Sequence, residues 1–109
     1  MIYRKKLRYI LVEATDTINL NDLRVTDGLK NEMMEFLGQL PYFKTNPQIA
    51  SQLNERAFIM SMNRGYERNA ILALSFIKNL SGKRIGFYTI RTSGTIRSLK
   101  VYFGKNYGY

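Results

Sequence analysis

Arg91-Thr92-Ser93-Gly94-Thr95-Ile96-Arg97 is the stretch whose residue types and spacing carry most chemistry. A β-forming run ends here. Ser93 or Thr95 can cap a following helix, and Gly94 lets the backbone turn or approach a ligand closely. Free N–H groups and the helix dipole favour an anion at such a helix start, with Arg91 and Arg97 beside it. Plain capping with solvated arginines is the competing reading. The spacing and the Gly-Lys-Ser/Thr ending of a Walker A loop are absent. A second stretch, Asn63-Arg64-Gly65-Tyr66-Glu67-Arg68, sets two arginines four residues apart at an expected helix start, and so on one face. The helix dipole disfavours cations there. A phosphate would supply the missing negative charge; Glu67 and Glu55 are the alternative source.

The rest of the chain narrows the chemistry further. It has no cysteine and no histidine. That excludes disulfides, thiolate nucleophiles, cysteine-ligated zinc and the Ser-His-Asp and Cys-His arrangements. The eight carboxylates run from Glu13 to Glu67 without an Asp-x-Asp pair. Glu13, Asp16 and Glu67 read as solvated or capping groups, so no catalytic or metal-ligating residue is assigned.

The basic residues are more informative. Over 109 residues, 17 Lys and Arg against 8 acids give a net charge of +9. Arg4, Lys5, Lys6 and Arg8 open the chain without an acid, residues 9–67 hold all the acids, and residues 68–109 carry eight bases and no acid. A solvated surface ordinarily mixes signs. Segregation on this scale points to a polyanion, whose phosphates Lys and Arg neutralise with release of counterions. No apolar run reaches the roughly 18 residues of a membrane helix, and Tyr9 to Val12 is too short for a signal-peptide core. The expectation is a soluble intracellular protein with no membrane contact.

These residues need elements to position them. Leu7 to Ala14 alternates and is rich in β-formers, which predicts a strand. Leu29, Met33, Phe36, Leu37 and Leu40 recur on one helical face, with Pro41 as the expected stop. Pro41 to Pro47 then reads as a loop whose Tyr42 and Phe43 are candidate partner contacts. Ile49 to Leu53 and Ala57 to Met62 read as strands. A second helix carries Tyr66, Ala70, Ala73, Leu74, Ile77 and Leu80, with Ser81-Gly82 as its cap. Ile85 to Thr92 reads as the last strand, and Ile96, Leu99 and Phe103 mark a final helix. Residues 1–6 and 105–109 are expected to fray.

The order βαββαβ plus a C-terminal helix predicts one α+β domain, a ferredoxin-like or RRM-like sandwich with an antiparallel sheet. Both strand faces are apolar, so the second face needs a cover that the final helix can supply in part. Lys83-Arg84-Ile85-Gly86-Phe87-Tyr88 faintly matches the RNP1 pattern of RRMs, but it follows the second helix instead of preceding it. Its apolar residues are expected in the core.

Three segments together resemble a known family. RYILVE (residues 8–13), NRGYERNAILALSFI (residues 63–77) and SGTIRSLKVYF (residues 93–103) stand in the order and spacing of the archaeal and eukaryotic ribonuclease P protein component 2 family. The resemblance covers roughly residues 7–104. It implies a protein subunit of the ribonucleoprotein that removes the 5′ leader from precursor tRNA. It also implies that the RNA subunit performs the chemistry with Mg²⁺, that this chain binds no cofactor itself, and that protein component 3 is its partner. A homodimer within a heterotetramer stays open, and precursor tRNA would be met only indirectly.

The expected RNA contacts are Arg4, Lys5, Lys6, Arg8, Arg64, Arg68, Arg91, Ser93, Gly94, Thr95, Arg97 and Lys100. The expected location is the cytoplasm, or the nucleus and nucleolus for a eukaryotic source. Two other readings stand beside this one: another ferredoxin-like RNA binder of ribosomal type, and a small acylphosphatase-like hydrolase.

Overall fold

Leu7–Ala14 forms β1, the central element of the chain. The computed structural model describes residues 6–107. Along β1, Ile10, Val12 and Ala14 point to one face and Leu11 to the other, and all four are buried. A strand buried on both sides must lie inside a three-layer arrangement. It pairs antiparallel with β3 (Ala57–Asn63) and with β6 (Phe87–Ser93), and β2 (Gln48–Gln52) pairs antiparallel with β3. The sheet order is β2-β3-β1-β6. This is the α+β, ferredoxin-like plan expected from the order of elements.

The first face of the sheet packs against α1 (Leu23–Leu37) and α3 (Glu67–Phe76). Ile10, Val12, Phe58, Met60 and Met62 meet Leu29, Met33, Ala70, Ala73 and Leu74 there. The Asp22 carboxylate starts α1 by accepting the Arg24 N–H at 3.0 Å. The helix ends at Gly38, whose φ of +84° favours glycine.

Pro41 does not stop that helix. It lies in the first turn of a further helix, α2 (Gln39–Thr45), where a missing N–H costs no hydrogen bond. The expected loop from Pro41 to Pro47 is therefore mostly helical.

A second correction concerns the end of α3. It stops at Phe76, and Ser81-Gly82 forms the turn of a small hairpin between β4 (Asn79–Leu80) and β5 (Lys83–Arg84). Both turn residues have positive φ, as a two-residue hairpin requires.

The second face is covered by α4 (Ile96–Tyr107), which extends past Lys105 into the segment expected to fray. Leu99 and Phe103 are fully buried against Leu11, Ala57 and Ile59, with Tyr9, Ile90, Ile96 and Tyr102 at the margin. The apolar second face thus finds its cover within the chain.

Candidate nucleic-acid interface

β1 begins where β3 and β6 end: Leu7 pairs with Asn63, and Tyr9 pairs with Ser93. The antiparallel register therefore carries three basic segments, distant in sequence, to one end of the sheet. Lys6, Arg8, Arg64 and Gly94 line a groove there of about 490 Å³, together with Leu7 and Tyr9. The Arg64 N–H donates to the Lys6 carbonyl at 2.9 Å, and the Asn63 side-chain amide donates to the Lys44 carbonyl at 2.8 Å. These bonds fix the backbone beneath the cations. Arg64 is exposed and Arg8 half-buried.

Among the described residues no carboxylate forms an ion pair with these cations. Among the described residues the ion pairs are Arg24–Asp22 at 3.4 Å and Lys83–Asp16 at 3.6 Å, both away from the groove. The Glu67 carboxylate accepts the Gly65 N–H. Glu67 and Glu55 thus form no ion pair with Arg64 or Arg68. The opposite end of the sheet is mixed, with Glu13, Asp16 and Glu55 set among Arg56 and Lys83. Bonding to the Thr17 N–H, then the Lys83 ammonium, holds the Asp16 carboxyl below its usual range.

Two expectations about the arginines need correction. Arg64 and Arg68 do not share a helical face, because α3 begins only at Glu67 and Arg64 lies in the preceding turn. Arg91 and Arg97 do not clasp Gly94 between them. The Arg91 guanidinium lies over the Tyr102 ring, 4.6 Å from its centroid. The Ser93 hydroxyl accepts the Thr95 N–H, and the Thr95 hydroxyl accepts the Ser98 N–H, each at 3.2 Å. These donors serve internal capping instead of facing an anion. The cation at Gly94 is Arg8, which the register places opposite. A Cβ on residue 94 would lie 3.1 Å from Arg8 Nη1.

Arg97 and Lys100 lie together elsewhere, on the exposed side of α4. With Ile96, Val101, Gly104 and Lys105 they line a shallow groove of about 550 Å³. Lys105 was missed as a site residue because the tail was read as frayed. Its spacing from Arg97 and Val101, eight and four residues on, is the helical signal that marks it. Arg4 and Lys5 lie outside the described residues.

The aromatic and acidic candidates resolve differently. Tyr42 packs against the main core, and burial raises its phenol above the ordinary range, while Phe43 is 66% exposed. Phe36 and Phe76 stack at 4.7 Å between ring centroids on the outside of the helical layer. In the RNP1-like stretch, Phe87 is core, edge-on to Phe58, and Tyr88 bonds Glu13. That bond raises the Tyr88 phenol. Glu13, Asp16 and Glu67 each serve a different partner, and no cluster of three metal-binding side chains occurs among the described residues. A larger groove of about 740 Å³ between the Thr17–Asn21 loop and the β4–β5 hairpin holds no gathering of cations.

The chain is similar to several known proteins. A ribonuclease P protein component 2 of Methanocorpusculum labreanum is 30% identical over 97 residues, covering 89% of this chain. The chain spans 65% of that relative's length. Proteins of the same name from Sulfurisphaera tokodaii and Pyrococcus furiosus are 24% and 23% identical, covering 95% and 97% of this chain and 91% and 89% of their own lengths. A chain in the cryo-EM structure of yeast ribonuclease MRP has the same fold, with a TM-score of 0.61 at 9% identity, covering 99% of this chain and 96% of that one. The Rpp14/Pop5 family profile matches residues 8–103, nearly the whole described structure, and the chain belongs to that family.

Proposed function

We propose that this chain is a protein subunit of ribonuclease P that holds the enzyme's RNA through the basic end of its sheet and the exposed side of α4. The observation that carries this reading is the convergence of Lys6, Arg8 and Arg64 on one groove with no carboxylate in ion-pair reach among the described residues. Uncompensated cations gathered by long-range strand pairing are costly unless a polyanion meets them. Hydrolysis at the 5′ leader of precursor tRNA is the work of the RNA subunit and its Mg²⁺. The chain's own contribution is to bind and orient phosphates. Arg97, Lys100 and Lys105 extend the contact along α4.

The helical layer faces a protein partner in this reading. Phe36, Leu40, Phe43 and Phe76 are 44%, 63%, 66% and 62% exposed there. Apolar groups exposed together mark an interaction surface more often than a solvated one. Protein component 3 is the proposed occupant, and a second copy of the chain is the alternative within a heterotetramer.

An omission experiment tests the assignment. The cognate RNA with the remaining protein subunits should process precursor tRNA poorly until this chain is added, and the chain alone should cleave nothing. Full activity without it would refute the reading. Turnover of an acyl phosphate by the chain alone would instead favour a hydrolase.

A further inference from the structure

An RRM reads single-stranded RNA by stacking bases on aromatic side chains of the open face of its sheet. In this chain that face is closed. Leu99 and Phe103 of α4 are fully buried against Leu11, Ala57 and Ile59. The two central strands, β1 and β3, turn one aromatic ring to this side, Tyr9, and it packs at the margin of the cluster beneath α4. Phe58, the other aromatic residue of these strands, faces the helical layer. Tyr88 is exposed on β6, but at the opposite, mixed end of the sheet, where its hydroxyl bonds Glu13.

The cations lie outside the closed face, in two adjoining grooves. Gly94 lines the one that Lys6, Arg8 and Arg64 share, and Ile96, two residues on, lines the one along α4. Arg97 and Lys105 stand eight residues apart on the exposed side of α4, a cationic strip of about 12 Å. No aromatic residue lines the α4 groove. Cations without a stacking platform meet phosphate and ribose only, and these carry no base identity. A single strand binds poorly to such a surface, because stacked bases supply much of its affinity. A duplex has its bases already stacked and its phosphates twice as dense along the axis. A-form RNA also presents its 2′-hydroxyls across a wide, shallow minor groove, against which a convex helix can lie.

We infer that the two grooves together hold one side of a double-helical segment of RNA through its backbone, and that unpaired bases are not read. The inference rests on the RNA-holding reading above and names the form of RNA which that reading leaves open.

The test compares a paired RNA hairpin with an unstructured oligouridine of equal length, each bound by the full chain over a range of salt. One phosphate contact for each of Lys6, Arg8, Arg64, Arg97, Lys100 and Lys105 gives a log–log salt slope of about −5 on the duplex and about −4 on the single strand. The hairpin should therefore bind about tenfold tighter at about 0.1 M salt. A second hairpin of different stem sequence should bind like the first. Changing Arg97, Lys100 and Lys105 together to glutamine should bring the slope on the hairpin to about half. Independently of any variant, thiouridine placed in the stem should photocrosslink to α4.

Oligouridine bound as tightly as the hairpin, or a crosslink from the single strand to Tyr9, would overturn the inference and leave the subunit reading standing. A chain that binds neither RNA yet restores precursor-tRNA processing would overturn it as well. Full activity without the chain in the omission experiment refutes the subunit reading instead, so the two failures are distinguishable.

Discussion

Replacing Phe103 with alanine removes the largest fully buried side chain holding α4 on the sheet. The ring is fully buried against Leu11, Ala57 and Ile59, and stacks on Tyr107 at 4.9 Å between centroids. A buried phenylalanine hides roughly 150–200 Å² of surface, worth about 4–5 kcal/mol at about 25 cal/mol per Å². The alanine methyl keeps part of this, while the cavity adds to the loss, so the expected cost is about 3–4 kcal/mol. For a chain of this size that lowers Tm by roughly 12–25 °C and removes a large share of a typical total stability of about 5–15 kcal/mol.

Urea unfolding measures the cost. Amide exchange locates it, because α4 amides should exchange about 10² to 10³ times faster than in the parent if the helix undocks locally. A loss under about 0.5 kcal/mol, the range of exposed substitutions, would refute the claim that α4 closes the second face of the sheet.

Gly38→Ala places a side chain at φ +84° and ψ 164°, a region essentially reserved for glycine, with no neighbour nearer than the Pro41 Cδ at 4.0 Å, so backbone strain alone should cost about 1–3 kcal/mol in urea unfolding. Changing Arg97, Lys100 and Lys105 together to glutamine should lower the salt slope of RNA binding by about one unit per lost phosphate contact and leave Tm nearly unchanged. Asp16 and Asp22 have carboxyls held below the ordinary aspartate value in the folded protein, by the Thr17 N–H and Lys83 and by the Arg24 N–H. Their stabilising effect is therefore full above that unfolded-state value and is lost as pH falls through their lowered ones. The double Asp16→Asn, Asp22→Asn variant should show a flatter fall of Tm on acidification.

Local chemistry made much of the fold legible. The β-formers of Leu7–Ala14 gave the strand its bounds, and their two apolar faces required the cover that Leu99 and Phe103 supply. What stayed hidden was decided by context. Proline ends a helix in its interior but is harmless in a first turn, so the break at Gly38 and the new start at Gln39 turned Pro41 from a stop into part of a helix. Ser81-Gly82 supplies positive φ, which suits a helix cap and a hairpin turn equally.

The site depends still more on long-range order. Arg8 meets Gly94 only through the β1–β6 register, a pairing across more than eighty residues. Charge segregation along the chain indicated that a basic surface exists. It did not reveal which cations share a groove.

The most direct test is the rate of precursor-tRNA processing by the reconstituted enzyme, measured against the concentration of this chain for the parent and for the Arg8→Gln, Arg64→Gln double variant. If the two arginines hold RNA and take no part in the chemistry, the variant should need at least about tenfold more protein and still reach the parent's plateau. A variant that saturates at the parent's concentration would show that the groove does not hold the RNA, and a lower plateau at saturating protein would place these arginines in the chemical step.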